Sequence, residues 1–184
     1  MTTTRIRLTA VIAAALVAAS AGTAAATQHH APAAAPAIAA NGGIAYLPAV
    51  FDLQPTASGT WSNTGLEITL PRRGTYDLDA NVRGRLGGTP AINTYIVARL
   101  WNATSGAVLS NSERLVDQII DLNPGSRQAG DNTTAPISER ITVSGPTTIR
   151  VQAKRVNAVG ASSIASIYSD GNGVTSLRYE KVAP

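Results

Sequence analysis

The sequence predicts an all-β fold, an antiparallel sandwich or jelly roll. Three observations carry this expectation. Apolar and polar residues alternate with period two in segment after segment from Ile44 onward, turn-forming clusters punctuate those segments, and no stretch shows the 3.6-residue period of an amphipathic helix. About eight to ten short strands with no crossover helices pack as two antiparallel sheets and not as a parallel one.

Taken in chain order, residues 1–26 read as a secretory signal. Arg5 and Arg7 form a basic start, residues 8–19 are apolar and uncharged, and Ala24-Ala25-Ala26 offers small residues for cleavage. The apolar run falls short of the ~20 residues that a bilayer span needs. Residues 27–43 read as an Ala/Pro-rich flexible linker, containing Pro32, Pro36, His29 and His30 and ending in Asn41-Gly42-Gly43. Residues 44–184 then form one β-sandwich domain of ordinary size.

Within the domain, 61–70 is a strand stopped by Pro71, and Arg72-Arg73-Gly74 turns into the next. In 75–83, Tyr76, Leu78, Ala80 and Val82 alternate with Asp77, Asp79, Asn81 and Arg83, as in a half-buried strand. Residues 86–93 read as a loop. The strand 94–101 is apolar on both faces at Tyr95, Val97 and Trp101, so a neighbouring strand layer or a second subunit must cover its outer side. Gly106 suits a left-handed turn, and 107–109 with 115–120 form the return, broken near Asn111. A long polar loop at 123–131 carries Arg127 and Asp131. The strands 137–143 and 147–156 flank Ser144-Gly145-Pro146. The strands 163–168 and 174–182 flank Ser169-Asp170-Gly171-Asn172-Gly173, the clearest hairpin signal in the chain.

Composition narrows the chemistry. The whole chain has 15 Lys and Arg against 11 Asp and Glu, and loss of Arg5 and Arg7 with the signal leaves a net charge of +2, which does not point to nucleic acid. There is no cysteine, so an exported domain must rely on its core or on neighbouring subunits. The alanine-rich, cysteine-free composition reads as bacterial. The two histidines lie in the linker, so the domain can build no Ser-His-Asp triad, no Cys-His pair and no His/Cys zinc site. We expect no enzyme and no cofactor.

Oxygen chemistry stays open to a limited extent. Asp77 and Asp79 share a strand face ~7 Å apart, a spacing compatible with carboxylate catalysis on sugars, but they read as a wet face with Arg83 and Arg85 as partners. Asp170-Gly171-Asn172-Gly173 resembles part of a calcium loop but lacks a later acidic ligand, so the turn reading is preferred. Asp117, Asp121 and Asp131 could supply oxygen ligands from several strands. Arg72-Arg73 and the trio Arg150, Lys154 and Arg155 read as basic surface paired across strands. Asn102-Ala103-Thr104 and Asn132-Thr133-Thr134 have the form of glycosylation sequons.

Gly74-Thr75-Tyr76, opening an alternating strand after one that ends at Leu70-Pro71, resembles the Gly-x-Tyr strand of the C1q and tumour-necrosis-factor-like jelly rolls. Arg99-Leu100-Trp101-Asn102, a turn and Val108 are similar to the hairpin that follows it there. Val143-Ser144-Gly145 before Thr148-Ile149-Arg150-Val151, and a last strand lying mid-sheet, extend the resemblance over most of 61–182. The chain departs from that pattern in its few aromatics, with Phe51 its only Phe. The resemblance implies a jelly-roll fold and a homotrimer; members of that superfamily bind receptors, carbohydrates or other ligands through loops and exposed faces, and no particular ligand is implied for this chain.

The expected function is a secreted, non-enzymatic binding or structural module, a homotrimer with no membrane insertion once the signal is removed. Tyr95, Val97 and Trp101 are the expected interface, and the loops 86–93 and 123–131, with Arg127 and Asp131, the expected recognition surface. One alternative is a monomeric carbohydrate-binding module with Trp61 and Trp101 as platforms. Another is a subunit of a larger secreted assembly that uses residues 27–53 as a docking arm.

Overall fold

The computed structural model describes residues 41–125 and 127–184. The expected signal, His29, His30 and most of the expected linker lie outside the described residues. Gly42 and Gly43, expected to close the linker, instead open the first strand.

The chain forms a two-sheet antiparallel jelly roll. In sheet A, β4 (Gly74–Gly88) is flanked on one side along its whole length by β8 (Ala129–Val143). On its other side β11 (Ser176–Ala183) and β10 (Ser162–Ile167) lie end to end, β11 against residues 75–81 and β10 against 84–88. Beyond them β1 (Gly42–Tyr46) pairs with β11, and β2 (Phe51–Asp52) with β10. Of the expected docking arm, the part from Gly42 onward is thus built into sheet A. Sheet B runs β3 (Ser62–Leu70), β9 (Thr147–Val159), β5 (Ile92–Asn102), then β7 (Arg114–Asp121) and β6 (Ala107–Val108) end to end. Consecutive long strands change sheets, from β3 to β4 to β5 and from β7 to β8 to β9, which is jelly-roll winding.

Alternation does the sorting. Tyr76, Leu78, Ala80 and Val82 of β4 are buried with Ile96, Ala98 and Leu100 of β5 and Ile149, Val151 and Ala153 of β9 in one core. The strand that ends the chain, β11, lies mid-sheet between β1 and β4. Tyr76 packs edge-on against Tyr179, ring centroids 5.6 Å apart, and its hydroxyl donates to the Arg72 carbonyl at 2.8 Å. That bond ties the 71–73 turn to the core, because a buried phenol needs a partner.

The structure corrects four expectations. First, β10 and β11 are not a hairpin. Both run antiparallel to β4, so they point the same way and cannot pair with each other. The Asp170–Gly173 turn does form, closed by reciprocal backbone bonds of 2.9 and 3.3 Å, but it belongs to an excursion of residues 168–175 from a single row. Thr175 anchors this excursion: its hydroxyl donates to the Tyr168 carbonyl (2.7 Å) and accepts from the Arg83 amide (2.9 Å). Second, 86–93 is mostly strand, with only 89–91 left to connect β4 and β5. Gly88 is there for packing, since a Cβ would fall 2.3 Å from Ile92 Cδ1. Third, β8 begins at Ala129, so Asp131 is in a strand opposite Leu86 and the preceding connection is only 122–128. Fourth, Arg155 is turned inward and buried, donating to Gln54 (2.8 Å) and the Thr56 carbonyl (2.8 Å). It pins the 53–59 loop and forms no basic surface with Arg150 and Lys154.

Gly74, where the turn enters β4, is a position that glycine alone fits without strain. Its φ is +147°, and a Cβ there would lie 2.2 Å from Lys181 Cε and 2.9 Å from the Ala183 carbonyl oxygen. Gly74→Ala is therefore expected to cost about 2 kcal/mol in urea denaturation. Gly145→Ala, in open space, is expected to change stability by less than about 0.5 kcal/mol; equal effects at the two positions would refute the assignment.

Candidate functional site

On the outer face of sheet B, β5 presents Tyr95, Val97, Arg99 and Trp101, all half-buried, while Ile96, Ala98 and Leu100 point into the core. Trp61, just ahead of β3, reaches across this face. The Arg99 guanidinium lies 3.9 Å from the Trp61 ring centroid and 5.1 Å from that of Trp101, and the Lys154 ammonium is 4.4 Å from Trp61. Arg99 is held there by Gln152, which accepts from its Nε at 2.9 Å, and by Glu113 at 3.4 Å. Each half-desolvated cation over an indole contributes about 1 kcal/mol. A sugar stacking on Trp61 would have to displace two cations, so the arrangement favours a packed strut over a carbohydrate platform.

Towards its other end the same face sets apolar side chains around a polar pair, Gln118 donating to Asn93 Oδ1 at 3.1 Å. Across the ladder, Val97 faces Leu115, Tyr95 faces Val156, and Asn93 lies between Ile120 and Val159. Leu115 is 54 % exposed and Ile120 60 %, with Leu122 exposed just beyond. Sequence reasoning selected Tyr95 and Val97 but not Leu115 or Ile120. Their signal was the loss of alternation around 115–120, which read as an ordinary return strand.

Arg127 and Asp131 are not brought to this face. Arg127 is exposed in the 122–128 connection, and Asp131 lies on sheet A. Nor do Arg83 and Arg85 pair with Asp77 and Asp79. Arg140 grips Asp77 at 2.6 and 2.8 Å and Arg178 reaches Asp79 at 3.1 Å, each from the directly facing or adjacent strand position. The guanidinium of Arg140 holds the Asp77 carboxyl below its ordinary range. Asp170, once a calcium candidate, is engaged by the Asn172 amide (2.8 Å) and by Arg83 (3.4 Å), and the amide bond chiefly keeps its pKa low.

Asp117 differs from all of these. The β5–β7 register jumps between Val97 opposite Leu115 and Ile96 opposite Asp117, a β-bulge that turns Val116 and Asp117 inward together. Asp117 is 2 % exposed and neither carboxylate oxygen has a hydrogen-bond partner. Gly84 makes the room, since a Cβ there would fall 2.9 Å from Val116 Cγ1 and 3.0 Å from Asp117 Cβ. Burial first, and then the charge of Asp131, push the Asp117 carboxyl up to about 6. Among the described residues no three His, Cys, Asp or Glu side chains cluster.

No protein-family model matches the chain, and no curated protein does. The resemblance drawn from Gly74-Thr75-Tyr76 therefore has no family match behind it. Among solved structures, the chain is similar to one from the Gt strain of infectious bursal disease virus, with a TM-score of 0.40 and 16 % identity over 77 % of this chain and 38 % of that one. The VP2 subviral particle of the same virus gives a TM-score of 0.39 and 16 % identity over 77 % and 37 %. The chain thus spans less than two-fifths of the length of those proteins. Likenesses this loose bear on no function.

A carboxyl with a pKa of 3.8 unfolded and about 6 folded binds its proton more tightly in the native state. Its ionisation must therefore weaken the fold as pH rises from 4 through 6, with no further loss above. In EDTA, urea denaturation is expected to show a fall of about 3 kcal/mol across that window, removed in Asp117→Asn. A variant as pH-dependent as the parent would contradict the assignment.

Proposed function

We propose that this chain is a secreted, non-catalytic structural and binding module that self-associates, as a homotrimer, through the outer face of sheet B. The observation that carries the reading is the patch formed by Tyr95, Val97, Leu115, Ile120, Val156 and Val159. Large apolar side chains set side by side on a sheet face mark an association surface more often than a free one. Export rests on the basic-apolar-small order of residues 1–26, and the trimer on the resemblance in strand order and in Gly74-Thr75-Tyr76. Recognition of a ligand falls to the 122–128 connection with Arg127, since 86–93 has little loop to offer.

Light scattering coupled to size exclusion on the signal-free protein is expected to give three times the protomer mass. Leu115→Lys with Ile120→Lys is expected to shift it to the monomer while the far-ultraviolet circular dichroism stays the same. A parent protein that elutes as a monomer at 50–100 μM, on the order of concentrations that reveal weak association, would sink the proposal.

A further inference from the structure

The bulge in β7 creates a problem that the rest of the molecule does not solve. It sends a carboxylate between the two sheets, over the gap left by Gly84, and supplies no hydrogen bond to either oxygen. A buried, unpaired carboxylate is strongly disfavoured. Asp131 opposes its charge, while the Thr133 hydroxyl and the Gln118 and Leu86 amides lie near enough to favour the charged form without closing a hydrogen bond to it, and no basic side chain is among its neighbours. Asp131 and Thr133 are two apart on β8, so they share a face, opposite Leu86 and Gly84 respectively. Thr133 donates its hydroxyl to the Val116 carbonyl, which brings the β8 edge onto the bulge itself. Asp131 is exposed, so this cleft between the edges of the two sheets opens to solvent at one end.

We propose that Asp117 and Asp131 hold a divalent cation of the calcium class between β7 and β8, with water and the neighbouring Thr133 hydroxyl completing its shell. The donors are all oxygen, two of them anionic, which is the set a hard cation takes. Calcium suits the site better than magnesium because its shell is irregular and tolerates a mixture of carboxylate, hydroxyl, carbonyl and water. Magnesium requires a near-ideal octahedron and gives up its water reluctantly. The cation supplies the missing counter-charge and cross-links the edge of sheet B to the edge of sheet A. This site does not depend on self-association and would serve a monomer equally well.

The test is calorimetry with calcium chloride on the signal-free protein at pH 7.5, after removal of divalent ions. Titration is expected to show one site per chain with a dissociation constant of about 0.1–1 mM, the range of extracellular modules. Calcium at 10 mM is expected to raise the melting temperature by roughly 4–8 °C, and magnesium by much less. Asp117→Asn and Asp131→Asn should each abolish both the heat and the shift, while Asp121→Asn keeps them. Asp131→Asn, at the open mouth, decides the matter if Asp117→Asn fails to fold. A parent protein indifferent to calcium would overturn the proposal and leave a carboxyl pair that shares a proton only. A calcium response that survives in both Asn variants would overturn it equally, by placing the ion elsewhere.

Discussion

The backbone ladder of β4 is the constraint on which sheet A depends. This strand of 15 residues bonds along its whole length to β8 on one side, and on the other to β11 and then β10. Five buried apolar residues, Tyr76, Leu78, Ala80, Val82 and Leu86, fix which face turns inward, and a slip of one residue would put Asp77 and Asp79 in the core. The ion pairs on the outer face then fall into place because the register has been set: Asp77 faces Arg140, and Asp79 faces Arg178. As exposed pairs they tune the surface and add little to stability. Tyr76 extends the same strand's influence to the turn before it through the Arg72 carbonyl.

Sheet B is organised by β5 in a similar way, but its outer face serves two purposes. At one end, cations inserted over Trp61 and between hydrogen-bonding side chains make a closed, self-satisfied surface. At the other end, Leu115 and Ile120 stand open beside Tyr95 and Val97. The division follows from the partners each strand position meets: Arg99 has Gln152 and Glu113 within reach, whereas Val97 has Leu115 on one side and the stem of Lys154, whose ammonium sits over Trp61, on the other. The bulge at Val116 and Asp117 separates the apolar row from the core beneath it, so one irregularity shapes both the candidate interface and the buried carboxylate.

The fold was largely legible in the sequence because period-two alternation and turn residues are local signals. Tyr76 to Val82, Ile149 to Ala153 and the left-handed Gly106 were all readable from their neighbours. The misreadings arose where the same local signal has two long-range outcomes. Asp170-Gly171-Asn172-Gly173 makes its tight turn, yet only the length of β4 decides that the flanking strands lie in one row. Gly87 and Gly88 look like loop residues, but they are small because Ile92 and Gln128 need the space. The site was less legible than the fold. Tyr95, Val97 and Trp101 were visible as a two-faced strand. Asp117 turns inward through a register jump against β5, and the cavity that receives it is made by Gly84, 33 residues earlier in the chain. No window on the sequence contains both.

The excursion of residues 168–175 has a consequence of another kind. The chain leaves the row beside β4 and rejoins that same row, so the registers of β10 and β11 are each set by β4 and neither is transmitted through the intervening loop. Lengthening or replacing the Asp170–Gly173 tip leaves both ladders in phase, provided that Thr175 keeps its bonds to Tyr168 and Arg83. The length of the tip thus does not set the phase of either ladder, although Asp170 and Gly173 within it hold the Arg83 side chain in place.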